Sequence, residues 1–235
     1  KLKKIVALPS SVFPSATVDT CIYVIQKGQI KSSKTQVIPF PKNQIIDSIT
    51  EEHAFHRNQE YWTSIHSYII NPFLLPAEGK ILDKAEKKSF KLSKLADIKY
   101  GLKAYQTGKG KPPQTKETLK KRPFTSTFKE NEDFKPFYQG QDVGRYKFNW
   151  NKDNWIKWGQ WLAEPRNEEL FTGPRLLFRK VVGEKLIGSY VEKVAYSNTL
   201  LYVLKFEGNT SNPKDILAIL NSKLMGFIFR KKFAI

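Results

Sequence analysis

Two short apolar runs open the chain, Lys4 to Leu8 and Thr20 to Gln26. Each has the length of a strand, and turn residues including Pro14 separate them. The second run, Cys21-Ile-Tyr-Val-Ile25, is nearly all apolar and rich in branched side chains, which predicts a strand covered on both faces with Cys21 buried. Nothing further along supplies the rest of such a sheet, so the pair is expected to be the end of a larger domain. A polar connector, Gly28 to Lys42, follows. A helix is then predicted from Thr50, whose hydroxyl can cap it ahead of Glu51 and Glu52, to about Ile69. Asn71-Pro72 stops that helix, and the punctuation through Gly79 places a domain boundary near residue 80.

Beyond the boundary, Leu92 to Gly101 reads as a short helical turn or strand entry. Ala104 to Thr115 is a loop carrying Gly108, Gly110, Pro112 and Pro113. Four of the five tryptophans fall between Trp150 and Trp161, a density that suits a core wall better than base stacking. Strands are predicted at Arg175 to Arg179, Leu186 to Val191 and Thr199 to Lys205. The last element is a helix with Asn212 as cap, Pro213 at its first position and Asp215 in its first turn. Its residues Ile216, Ile219, Leu220, Leu224, Phe227 and Ile228 recur at helical spacing and are expected to dock on the sheet. The fold class is therefore α+β, a mixed sheet with a packed C-terminal helix, preceded by a strand pair and a helix.

Composition narrows the function. With 40% hydrophobic and 13% aromatic residues, the chain carries enough apolar surface to fold rather than remain disordered. The net charge of +18 would draw in a polyanion, nucleic acid first. From Lys84 to Lys129 there are 14 basic residues against 3 acidic ones, so phosphate contacts are expected there, the alternative being a solvated lysine-rich surface. No apolar run approaches the roughly 18 to 20 residues that span a bilayer, and no signal-peptide pattern opens the chain, so a cytoplasmic protein without a membrane partner is expected. The single Cys21 offers no internal disulfide. His53, His56 and His66 fall in the predicted helix without a further ligand, so no metal site is expected.

Five motifs in order carry a resemblance. Leu95-Ala-Asp-Ile-Lys-Tyr-Gly-Leu102 with Thr107-Gly108 is similar to an L-x-D-I-x-x-G-I segment followed by T-G, from which Tyr105 departs. Lys135-Pro-Phe-Tyr-Gln-Gly-Gln-Asp-Val-Gly-Arg-Tyr146 resembles G-x-D-I-x-R-Y, and Phe171 to Arg179 resembles F-x-x-P-K-I-x-x-R. Ser197 to Tyr202 and Ile219 to Leu224 resemble an N-T-x-x-x strand and an L-N-S-K-L helix. Together they resemble the C-terminal target-recognition domain of TaqI-like and type IIG adenine-N6 DNA methyltransferases. The opening pair, Ile5-Val-Ala-Leu-Pro with Phe13, then Ala16 to Thr20 and Ile22 to Ile25, resembles the last strands of the catalytic domain of those enzymes. Residues 30 to 88 match no named segment.

The resemblance implies three parts: residues 1–27 from a methyltransferase domain, 28–80 as a connector with a helix, and 81–235 as the target-recognition domain. It implies a module that reads double-stranded DNA while the catalytic domain of the same chain receives a flipped adenine. The parent would be a restriction-modification methyltransferase using S-adenosylmethionine, with or without endonuclease activity. No cofactor site and no catalytic residue is expected in this chain, which lacks a Gly-rich cofactor loop and an Asn-Pro-Pro-aromatic segment; Asn71-Pro72-Phe73 has no second proline. Expected phosphate contacts are Lys99, Lys103, Lys109, Lys111, Lys120, Lys121 and Arg122. Expected base readers are Gln106, Gln139, Arg145 and Arg179, fork-shaped or amide donors. Asn198 has the same chemistry, but at a strand start it and Thr199 better satisfy backbone groups, as Asn221 and Ser222 do in the final helix. Arg145 and Arg179 equally suit bracing the fold through a carboxylate such as Asp142. A type I specificity-subunit-like domain that docks methyltransferase or restriction subunits is the alternative, against which the opening strand pair argues. An RNA-binding protein comes last, for want of an RNP pattern or a GXXG loop.

Overall fold

A computed structural model describes residues 1–10, 12–13, 18–28, 33–64, 70–181, 183, 185–206, 208 and 212–233 of the chain. The class is α+β, as expected. Two compact units form, one from Lys1–Ser89 with Lys231–Ile235, the other from Phe90–Arg230.

The first unit is built on a sheet of β1 (Leu2–Ala7), β2 (Cys21–Ile25), β3 (Lys34–Pro39) and β4 (Phe55–Asn58), in the order β2-β1-β3-β4. β1 pairs antiparallel with β2 and parallel with β3. Alternation along β1 and β3 fills both faces: Ile5 and Val37 pack with Trp62, and Val6 and Ile38 pack with Phe40. Several expectations are corrected here. The polar connector contains β3, which supplies the sheet the sequence seemed to lack. β2 lies at the sheet's edge and is exposed along its whole length, and Cys21 is exposed with it, because a run of branched residues fixes strand propensity but not what covers it.

The helix predicted from Thr50 is also replaced. His53 sits in a turn, His56 in β4, and only α1 (Gln59–Ser64) is helical; His66 and the rest of the predicted span lie outside the described residues. Asn71 makes a local turn, its Oδ1 accepting from Phe73 N at 2.9 Å while its Nδ2 donates to Lys231 O; the helix end it was expected to stop lies outside the described residues. The stretch read as a linker is instead α2 (Pro76–Lys87), which has Pro76 in its first turn and runs across residue 80. Gly79 lets α2 approach β4 closely, since a Cβ there would meet Tyr61 Oη at 2.9 Å and Arg57 Nη1 at 3.2 Å.

The second unit has two sheets. One, in the order β10-β9-β12-β5, is antiparallel throughout and combines β5 (Ala96–Tyr100), β9 (Arg175–Arg179), β10 (Gly188–Val191) and β12 (Leu201–Phe206). The other, in the order β11-β7-β8-β6, combines β6 (Thr125–Ser126), β7 (Phe134–Tyr138), β8 (Trp155–Lys157) and β11 (Tyr196–Ser197). Leu177, Leu201 and Val203 from the first sheet share a core with Phe137, Ile156 and Tyr196 from the second, and Trp150, Trp158 and Trp161 pack against it, forming the expected wall. The opposite face of the first sheet, with Leu176, Phe178 and Leu204, is covered by α4 (Pro213–Leu220). Asn212 Oδ1 caps α4 by accepting from Lys214 N at 3.0 Å. The predicted single helix breaks at Asn221-Ser222, and α5 (Lys223–Phe233) follows. Leu217 is buried while Ile219 and Leu224 stay exposed.

Candidate nucleic-acid interface

The family-like motifs interlock in the second unit. Gly101, just after β5, lies against the chain of Ser197 and Asn198, so that a Cβ would fall 2.1 Å from Ser197 O. Arg145 Nε and Nη2 donate to Asn221 O at 3.1 and 3.0 Å, while Asn221, fully buried, bonds both the N–H and the carbonyl of Gly188. Arg179 Nε donates to Val143 O at 2.6 Å and Nη2 to Gln141 O at 3.3 Å. Both arginines thus brace the fold, through carbonyls rather than through Asp142. Asp142 itself is buried, its Oδ2 accepting from Gln139 N at 2.7 Å and its Oδ1 unpartnered, and burial pushes its carboxyl above the ordinary range. Arg175 is wholly buried, donating to the carbonyls of Gly173, Lys193 and Ala195, and burial lowers it to about 10.

The basic loop from Ala104 to Thr115 is held by a residue that sequence reasoning missed. Gln114 is buried, accepts from Gln106 N at 2.9 Å, and donates to Ala104 O and Trp161 O, each at 2.8 Å. Gly110, at φ +87°, passes so near the chain that a Cβ would stand 2.3 Å from Trp161 O. After the loop comes α3 (Lys116–Lys121), capped by Thr115 and ended by Arg122 in the left-handed region at φ 49°.

Between this loop and α3 on one side and β7 and β11 on the other lies an open groove of about 690 Å³. Of the expected contacts it gathers Lys103, Lys121, Arg122 and Gln139. Its other lining groups include Asn154, Asn198, Thr199 and the hydroxyls of Thr125, Ser126 and Thr127, and no carboxylate is among them. Tyr105, the residue that departs from the motif, organises one wall: its ring stacks on Phe124 at 5.6 Å, Arg122 lies over it at 4.8 Å, and its hydroxyl joins Phe124 N and Thr125 Oγ1. Asn154, which no motif marks, donates Nδ2 to Asp153 at 2.8 Å and so keeps its oxygen as an acceptor.

The remaining expected contacts lie outside this lining. Lys99 is on β5, paired with Asp97 at 3.1 Å. Gln106 accepts from Lys103 Nζ at 2.7 Å. Lys109, Lys111 and Lys120 are exposed on the loop and on α3. Lys121 pairs with Glu117 at 2.7 Å, an exposed i, i+4 contact worth little against a phosphate. No group of side chains among the described residues could hold a metal ion, and no described helix is long and apolar enough to cross a membrane.

The groove does not suit S-adenosylmethionine. It is lined by cations, which repel a sulfonium. A hollow of about 350 Å³ in the first unit is lined chiefly by Leu8, Val12, Ile22, Ile45, Ile46 and Ile49, with Asp47 alone among its lining residues carrying charge.

Residues 135–234 match the model of the TaqI-like C-terminal specificity domain, which bears out the resemblance read from the motifs over that stretch. Along its full length the chain is 27% identical to a protein of Methanocaldococcus jannaschii described as a putative type II restriction enzyme and methyltransferase, RM.MjaORFECS2P. The chain spans 19% of that relative's length.

Proposed function

We propose that this chain is the sequence-reading module of a restriction-modification adenine-N6 DNA methyltransferase of type IIG character. Double-stranded DNA is its partner, and the methyltransferase domain of the same protein is its neighbour. The observation that carries the reading is the groove: three cations, amides and hydroxyls line it and no carboxylate does, in the unit that holds most of the match to a specificity domain. Cations in such a groove bind phosphates whatever the sequence, and amides discriminate base edges. On this reading the chain holds the duplex in register while an adenine rotates into the catalytic domain, where S-adenosylmethionine supplies the methyl group.

Fluorescence anisotropy with a labelled duplex, measured over a series of salt concentrations, tests the proposal. Binding that weakens linearly in log salt is the expected result. Undetectable affinity even at low salt ends it.

A further inference from the structure

One side chain in the groove has its hydrogen-bonding sense settled by its neighbours. Leu200 N donates to the Asn198 side chain at 2.9 Å, so that arm of the amide is the oxygen Oδ1 and the other is the nitrogen Nδ2. Nδ2 donates to the Gln139 side chain, and only an oxygen can receive it, which makes the facing atom Gln139 Oε1. The arm left over is Gln139 Nε2 with its two N–H groups. No group among the described residues accepts from it, and Gln139 lines the groove.

The two amides are also held at their backbones. Gln139 N donates to Asp142 Oδ2 at 2.7 Å, and Asn198 N donates to Tyr138 O at 3.0 Å, beside the pairing of Ser197 with Tyr138 between β11 and β7. The groove-lining amide is therefore held in a fixed frame with its donor arm unengaged, as preorganised recognition requires.

We infer that Gln139 Nε2 is a base-reading donor and that Asn198 is the positioning residue that holds it donor-outward, an inference that rests on the DNA-reading function proposed above. A free glutamine reads adenine by using its oxygen and nitrogen together. Here the oxygen is engaged by Asn198, so the residue acts as a donor alone. The major-groove edge that best answers a pair of donors is guanine, with N7 and O6 side by side, whereas cytosine presents an N4 donor that would oppose it.

The test selects bound duplexes from a library with a randomised core, using the chain as it stands, and sequences them. The wild-type chain is expected to enrich duplexes with guanine at one fixed position. Gln139→Glu keeps the acceptor for Asn198 but turns oxygen toward the groove, so preference at that position alone is expected to move from guanine toward cytosine by roughly tenfold. Asn198→Asp still accepts from Leu200 N but cannot donate. It forces Gln139 to turn over and should erase the guanine preference without any change at residue 139. Gln139→Ala should remove the preference and create none. Thermal unfolding accompanies each variant, and if Gln139→Glu unfolds, Asn198→Asp and Gln139→Ala decide.

Folded variants that select the same sequences as the wild type overturn the inference and leave DNA reading intact. Wild-type binding without sequence preference overturns it as well. No binding of any duplex by the wild type removes the proposed function and this inference together.

Discussion

Two sets of cations in the second unit behave oppositely. Arg145, Arg175 and Arg179 donate to backbone carbonyls, reaching Asn221, Ala195 and Val143, and Arg175 does so with no exposure to solvent. Lys103, Lys121 and Arg122 meet an amide oxygen, one exposed carboxylate and a ring face, and they line an open groove. The first set lies in or beside the motifs that resemble a specificity domain; of the second, only Lys103 adjoins one. The motif arginines therefore brace the frame, while the groove's cations stand outside the motifs and its amides Gln139 and Asn198 stand within them.

The sharpest way to break this contrast is Arg175→Ala, which takes the donor from three carbonyls, the buried one of Ala195 among them, and leaves a cavity. It is expected to cost about 3 kcal/mol or more, seen as a large drop in the thermal unfolding midpoint. A small shift would mean that Arg175 is not a strut. Next comes the groove. Replacing Lys103, Lys121 and Arg122 together by glutamine should change stability by no more than about 0.5 kcal/mol. In the same variant duplex affinity should fall about tenfold or more, with the salt slope reduced by roughly 1 for each cation. An unchanged slope would show that these three do not touch phosphates.

The smallest effect concerns Asp142. Its folded carboxyl is raised by burial, so the fold favours the protonated form. Stability should decline as pH rises through the window just above the usual carboxylate range. Asp142→Asn keeps an acceptor for Gln139 N and cannot ionise, so its unfolding midpoint should vary less between mildly acid and neutral pH. Wild-type and variant midpoints that run parallel across that range would show that this carboxyl does not govern the pH dependence.

Much of the fold was legible in the chain because its signals are local. The apolar run at β9, the asparagine cap with proline at α4, and the Gly-Pro loop after β5 each state their structure within a few residues. Local signals failed where neighbours in sequence are not neighbours in space. β2 reads as a buried strand yet lies exposed at an edge, and the connector read as irregular contributes β3 to the same sheet. The helix read across His53 to His66 gave way to β4, because pairing with β3 outweighed a cap signal at Thr50.

The candidate site divides in the same way. Sequence alone determined that this protein is basic, α+β and patterned like a specificity domain, since charge, periodicity and motif order are properties of the chain itself. Only the tertiary structure decided which cations are struts and which are free, and which way Gln139 presents its amide. Those outcomes depend on partners 76 residues away for Arg145 and 59 away for Gln139, and a hydrogen bond's direction exists only once both partners are in place.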